Sequence, residues 1–453
     1  MSRKFRDWAP GQSWLFPPSP SDWLPEDHLV YFLLDVVEQL DLSPIIEDYE
    51  SPQGGKPPHH PGMMVALLLY AYCVGVFSSR KIMARCETDV AFRTIVGEDV
   101  PNFRRIAEFR KRHLSSIQHL FLEVLQLCKT AGLVKVGRLA LDGTKVKANA
   151  SRHKAMSYER MTSEEERLQQ EIDELLAQAK SADESEDAEH GSDRRGDELP
   201  DELARREQRL VKIREAKAAL EKAARERAAA DAEQRKADGK KPPKNDPSEA
   251  VPDAKAQRNF TDPESKIMRS SNKGWDQSGN AQAVANADQV IVAADVTDQA
   301  NDVQQVESMV EQAMANTSAV GVDDNVQAFT ADAGYFSEDN VASLDTNERI
   351  DESFIATGRM KHNEQVPDSP KGRPPKNQTP KQKMARKLKT KRGRAEYSRR
   401  KAIIEPVFGQ IKHCQGFRQF LLRGLSNLQA EWKLVCLSHN LLKLFRTSRT
   451  QSA

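Results

Sequence analysis

GRLALDGTKVKANAS (residues 137–151) is where the hydrophobic period of this chain changes. Leu139, Ala140 and Leu141 form a short apolar run that ends on Asp142, with Gly143 as punctuation and Val146 beyond. That pattern predicts a buried strand delivering a carboxylate at its C-terminal end. Everything before it reads as helix. Residues 1–24, rich in Trp and Pro, are expected to form an irregular arm, and Pro25 is expected to open an amphipathic helix to about residue 41. A Pro/Gly loop (52–62) is followed by helical patterns over 62–77, 79–87, 89–96 and 103–131, the last with a possible break. The pair at 79–96 has helix-turn-helix proportions, and RRIAEFRKRH (104–113) is basic enough for Arg104, Arg105, Arg110 and Lys111 to contact DNA phosphates. An ordinary solvated helix face would look the same. Residues 1–131 are therefore expected to be an all-α domain.

Downstream of 151, residues 157–262 read as an insertion. Ser163 with Glu166 suggests a capping box, and Leu168, Ile172, Leu175 and Ala179 follow heptad-like spacing. An acidic breaker (181–199) separates this from a second helix over 201–231 bearing Leu203, Leu210, Ile213 and Leu220. The pair predicts a coiled-coil-like hairpin, and the polar tail after it (235–257) has a disordered composition. Strand signals resume over 280–297, followed by a helix (301–316). VQAFTADAGYFS (326–337) then reads as a strand ending on Asp332, with Gly334 beyond and Ser337 or Asp339 able to cap a helix; SFIATG (353–358) is a further strand. A basic stretch (359–394), expected to be a mobile loop, leads to YSRRKAIIEPVFGQIK (397–412). An apolar helix (431–445) and a tail (446–453) close the chain. Without the insertion, residues 132–445 describe an α/β domain, a mixed sheet with flanking helices.

At about 100° per residue, Ile403, Ile404, Val407 and Ile411 fall on one side of the 397–412 helix, and Lys401, Glu405 and Lys412 on another. Pro406 predicts a kink or a restart there. The net charge of +1 conceals a partition: residues 160–202 carry sixteen Asp/Glu against five Lys/Arg, and 356–400 carry fifteen Lys/Arg against three Asp/Glu. Five widely spaced cysteines without a CxxC pair predict reduced, mostly buried thiols and no zinc site. The N-terminus has no secretory h-region, and the most apolar run (64–77) is too short for a bilayer, so a soluble intracellular protein is expected.

Two strand-borne aspartates and a late glutamate can meet at the rim of an α/β sheet, where ligands bind. Converging carboxylates raise one another's pKa unless cations neutralise them, and oxygen-only donors select Mg²⁺ or Mn²⁺. Two such ions about 4 Å apart serve in-line displacement at phosphorus. The basic residues beside Glu405 (Arg399, Arg400, Lys401, Lys412) are placed to hold a nucleic-acid backbone.

At these residues the chain resembles the DDE transposases of bacterial insertion sequences. LALDGTKVKANAS, TADAGYFS and KAIIEPVFGQIK look like the three acidic motifs of that family, and WLPEDHL, DPES…GNAQ (262–282) and WKLVCLSHNLLKLF extend the likeness over most of the chain outside the insertion. The resemblance implies a ribonuclease H-like catalytic domain, a helical DNA-binding domain, and metal-dependent cutting at terminal inverted repeats followed by strand transfer into target DNA. It makes Asp142, Asp332 and Glu405 the catalytic metal ligands for two Mg²⁺ or Mn²⁺ ions, and Lys401 and Lys412 the basic positions four before and seven after the glutamate. A homodimer or higher oligomer on DNA, in the cytoplasm at the nucleoid, is the expected setting. Ser398 stands where the family often has Tyr, with Tyr397 one place off; Ser278-Gly279-Asn280 replaces a usual Gly-Tyr-Asn, and Asn286 a common Asp. A catalytically silent DNA-binding derivative, a hydrolytic nuclease and a coiled-coil interaction protein are the rival readings.

Overall fold

The computed structural model describes residues 22–49, 57–190, 201–237, 245–269, 274–358 and 377–452, with a few residues outside those spans. Most of the expected arm and most of the 359–376 stretch lie outside the described residues. Eight strands are formed: β1 (Arg138–Lys147), β2 (Ala155–Ser157), β3 (Gln257–Asn259), β4 (Lys266–Arg269), β5 (Trp275–Asn286), β6 (Ile291–Thr297), β7 (Ala328–Ala331) and β8 (Ser353–Ile355). Six of them make one mixed sheet in the order β4-β5-β1-β7-β8, with β6 beside β5. β1, β7 and β8 run parallel; β5 is antiparallel to β1, β4 and β6. β4 and β6 share the outer edge of β5 end to end.

β5 is buried at every position from Gln277 to Asn286, which requires cover on both faces and small side chains such as Ala281, Ala283 and Ala285. Helices α10 (Val306–Ala319) and α15 (Leu425–Ser452) pack on β5 and β6. α15 is much longer than the 431–445 expectation, and the expected tail is helical to Ser452. Its Asn440 amide pairs with both the N–H and the carbonyl of Ile291, each at 2.8 Å, as a neighbouring strand would.

Its neighbour His439 is fully buried, bonds Gln289 O through Nε2 at 2.9 Å and leaves Nδ1 without a partner. Burial pushes its pKa from 6.5 down to about 4. A group that folds neutral and unfolds basic contributes stability above pH 6.5 that is lost as pH falls toward 4. Across that window the loss is of order 3 kcal/mol. His439→Gln is expected to flatten this limb in urea titrations run between pH 7 and pH 4.

The N-terminal part is all-helical as expected: α1 (Leu29–Gln39), α2 (Ser43–Ile46), α3 (Pro61–Cys73), α4 (Ser79–Thr88), α5 (Val90–Val96), α6 (Phe103–Arg112) and α7 (Leu114–Thr130). α1 starts at Leu29 and not at Pro25, because the extended His28 accepts the Val30 N–H and caps it there. The break in 103–131 falls at His113. α3 and α7 lie against α15, so one apolar core runs from these helices through the sheet. Cys73, Cys86, Cys128 and Cys436 are buried and free, and Cys414 is exposed.

The insertion leaves through β2 and returns through β3, which pair as a two-stranded ribbon. Between them α8 (Tyr158–His190) and α9 (Asp201–Ala237) form the expected hairpin around a core of its own, in which Met161, Leu168, Ile172, Leu203, Leu210 and Ile213 are buried. Glu164, Glu165 and Glu171 of α8 pair with Arg206, Arg209, Arg214 and Lys217 of α9.

Three local expectations fail here. Ser163 lies inside α8 and back-bonds to Glu159 O at 3.2 Å, so no capping box forms. α8 runs through the acidic stretch to His190; residues 191–200 are outside the described ones. The segment expected to be disordered is ordered over 245–256, where the Ala254 and Ala256 carbonyls take the otherwise orphan N–H groups of Glu159 and Tyr158. Likewise the basic stretch is helical from Pro380, as α12 (Pro380–Lys389) and α13 (Lys391–Ile403), because Thr379 and Gln382 make a capping box. α11 (Glu338–Thr346) is capped by Ser337. Among the described residues no helix is long and apolar enough to cross a membrane.

Candidate active site

Asp142 and Asp332 are brought level by strand register. β1 and β7 pair in parallel up to Leu141 opposite Ala331, so the next residue on each is one of the two aspartates. Adjacent strands lie about 4.8 Å apart. Asp142 is not at a strand end, as expected, because β5 goes on pairing with β1 to Lys147; it lies at the rim left where the shorter β7 stops. Gly143 N donates to Asp142 Oδ1 at 2.9 Å. Asp332 directly follows β7 and caps the turn after it, its Oδ1 accepting from Gly334 N at 2.7 Å.

Glu405 opens α14 (Glu405–Gly409). Of the kink and the restart that Pro406 left open, the helix restarts, one residue before the proline: α13 ends at Ile403, Ile404 is the junction at φ −98° and ψ −32°, and a π-helical turn (Gln410–Cys414) follows α14. The common face expected for Lys401, Glu405 and Lys412 therefore does not form. Lys401 is exposed on α13, whereas Lys412, beyond the π turn, is half-buried and donates to Thr144 Oγ1 and to Lys145 O, the latter at 3.1 Å. Through these bonds Lys412 fastens the turn after α14 to β1.

Arg400 is the cation that faces the carboxylates. Only 9% exposed, it donates through one terminal nitrogen to Asp142 Oδ2 at 2.9 Å and places the other 3.8 Å from Glu405 Oε1. Its Nε has no partner, and its guanidinium lies 5.9 Å from the centre of the Tyr397 ring. It was expected to hold phosphates; the half-buried Asp142 requires a counter-charge and takes it inward. Burial pushes the Asp142 carboxyl up, Arg400 pulls it back and Asp332 adds to the rise. The Tyr397–Arg400 pair serves the site one residue ahead of the spacing read from the sequence.

Beneath the carboxylates lies a polar layer that sequence reasoning missed. The fully buried Tyr335 hydroxyl donates to Gln282 Oε1, and burial together with Asp302, Asp142 and Asp332 pushes its pKa well up. A Cβ at Gly143 would sit 2.5 Å from Gln282 Nε2 and 2.9 Å from the Tyr335 oxygen, so only glycine fits. Asn286, also buried, closes the β5–β6 turn by accepting from Val290 N at 3.0 Å and donating to Leu133 O at 2.7 Å. An aspartate there would lose the second bond.

The donors suit a hard divalent ion: Asp142 and Asp332 are level, and Gly334 leaves a cradle beside Asp332 Oδ1 that a Cβ would fill at 3.1 Å. Among the described residues no three acidic, His or Cys side chains stand close enough to share one ion; Glu405 is exposed, its Oε1 3.8 Å from Arg400. Of the residues expected to touch DNA, Arg104, Arg105, Lys111, Arg399 and Lys401 are exposed. Arg110 is not: at 5% exposure it is buried against α3, donating to Phe77 O at 2.9 Å and to Tyr72 Oη at 3.3 Å.

Comparison with protein families finds a transposase domain (DUF772) over residues 18–112 and a transposase DDE domain over 367–445, the latter containing Arg400, Glu405 and Lys412. Comparison with curated proteins and with solved structures returned no match. With one transposase model on the N-terminal helices and a transposase DDE model on the segment that carries Arg400 and Glu405, the chain is similar over those stretches to the DDE transposases of insertion sequences.

Proposed function

We propose that this transposase binds the terminal inverted repeats of its element and catalyses DNA strand cleavage and strand transfer at Asp142, Asp332 and Glu405. The observation that carries the reading is the level placement of Asp142 and Asp332 on neighbouring parallel strands with Arg400 reaching from Asp142 to Glu405. Two Mg²⁺ or Mn²⁺ ions held by these carboxylates would activate the attacking oxygen and stabilise the leaving one. The chain's own residues do the rest. Arg400 keeps the three carboxylates from repelling one another and ties the start of α14 to β1. Lys412 anchors the far side of the same turn. Arg399 and Lys401 on α13, and Arg104, Arg105 and Lys111 on α6, are exposed cations fit to track phosphates. The proposed division is a DNA-binding unit over 1–131, a ribonuclease H-like catalytic unit over 132–445 and the 157–262 hairpin as an appendage, acting as a homodimer or larger oligomer.

The test is to incubate the protein and Mg²⁺ with a candidate element end and supercoiled plasmid, resolving products on a gel. Joined end–plasmid products are expected. Nicks without joining would replace the proposal with a hydrolytic nuclease, and a mobility shift with no chemistry would leave a binding protein.

A further inference from the structure

Asp302, in the turn before α10, belongs to none of the motifs that carry the family likeness, yet it faces the candidate site. Its Oδ1 receives three donors: Asn280 Nδ2 at 2.6 Å, Gln282 Nε2 at 3.0 Å and Lys145 Nζ at 3.1 Å. These come from β1 and β5, the strands that deliver and brace Asp142. Its Oδ2 accepts no hydrogen bond among the described residues and lies 3.3 Å from where a Gly334 Cβ would be, the same point that is 3.1 Å from Asp332 Oδ1. The two carboxylate oxygens therefore look into one cradle from two sides. The fully buried Asn280 amide that holds Asp302 has an Oδ1 with no partner, so the layer is polar beyond its own internal needs. The Asp302 side chain is a quarter exposed, so Oδ2 is open to solvent and to an ion entering the cradle.

We propose that Asp302 is a fourth carboxylate of this site, a positioning residue whose Oδ2 adds negative charge on the Asp332 side of the divalent-ion site; this rests on the metal-site reading above. Lys145, Asn280 and Gln282 orient it, and Gly334 keeps the cradle open. Groups that support a metal site from behind its direct ligands typically change its affinity by 10- to 100-fold.

The experiment is Mn²⁺ titration of the full-length protein without DNA, followed by electron paramagnetic resonance of the free ion, with thermal melting in parallel. Asp302→Asn is expected to melt like the wild type without metal and to bind Mn²⁺ about tenfold more weakly, with partial recovery in Asp302→Glu. Wild-type affinity in Asp302→Asn overturns the assignment. If that variant does not fold, Asp302→Glu decides: its carboxylate is displaced by one methylene, so a several-fold loss of affinity supports the assignment and wild-type affinity overturns it. Asp142→Asn separates the two levels. If it binds Mn²⁺ as tightly as the wild type, the metal site itself falls. If it loses the ion while Asp302→Asn does not, only the role of Asp302 falls.

Discussion

Asp142→Asn is expected to lower metal-dependent strand cleavage and joining by more than about 100-fold, since even groups behind the direct ligands cost up to that much. Asn keeps the shape, and its remaining oxygen can still accept from Gly143 N or Arg400. What it removes is a charge that burial already disfavours and that Arg400 compensates. These effects oppose one another, so melting temperature should move little, and binding to an element end should persist in a mobility-shift assay. Asp332→Asn and Glu405→Gln are expected to behave alike, although Glu405 starts from an exposed position. Full activity in any one of the three would sink its assignment. A loss of activity accompanied by unfolding would instead mean that the carboxylate is structural.

Arg110→Met should destabilise the fold by about 3–5 kcal/mol, the cost of leaving a buried charge without its partner. Arg110 of α6 donates to the Tyr72 hydroxyl, which donates at 3.2 Å to Glu431 Oε1 on α15; Glu431 Oε2 takes the N–H groups of Leu421 and Leu422. Arg110 and Glu431 are both buried, and burial pushes the Glu431 carboxyl up while Arg110 holds it down. The network thus joins the N-terminal helices to the C-terminal helix and to the chain that leads into it. Urea denaturation of Arg110→Met, Glu431→Gln and the double variant measures the coupling; the double variant should recover part of the loss, and strict additivity would refute the network. Arg104→Ala and Lys111→Ala, on the exposed side of the same helix, should leave stability unchanged. Each should reduce the salt dependence of DNA binding by about one unit of slope.

The contrast within α6 shows where sequence reading stops. Arg104, Arg105, Arg110 and Lys111 are equivalent as letters, and periodicity sets Ile106 and Phe109 on the buried face. It cannot say that Tyr72 and Glu431, distant in the chain, supply a polar pocket for one of the four. The same limit explains Arg400. A helix projected through 397–412 selects Lys401, but the break at Ile404 and the π turn after α14 rotate the two halves. The residue that meets Asp142 is then one earlier in the chain.

What the sequence determined by itself was the helical N-terminal part, the helical hairpin and the two strands that lead to Asp142 and Asp332. Those depend on local periods and on short strands that run from apolar residues into an aspartate. Residues far apart in the chain had to be folded together before three things could be decided. The parallel register of β1 and β7 sets Asp142 level with Asp332, and burial turns Arg400 and Arg110 inward. The third is Asp302, drawn beside Asp332 by donors on two other strands. Register, burial and long-range hydrogen bonds are properties of pairs, and a single chain read in order carries only one member of each pair at a time.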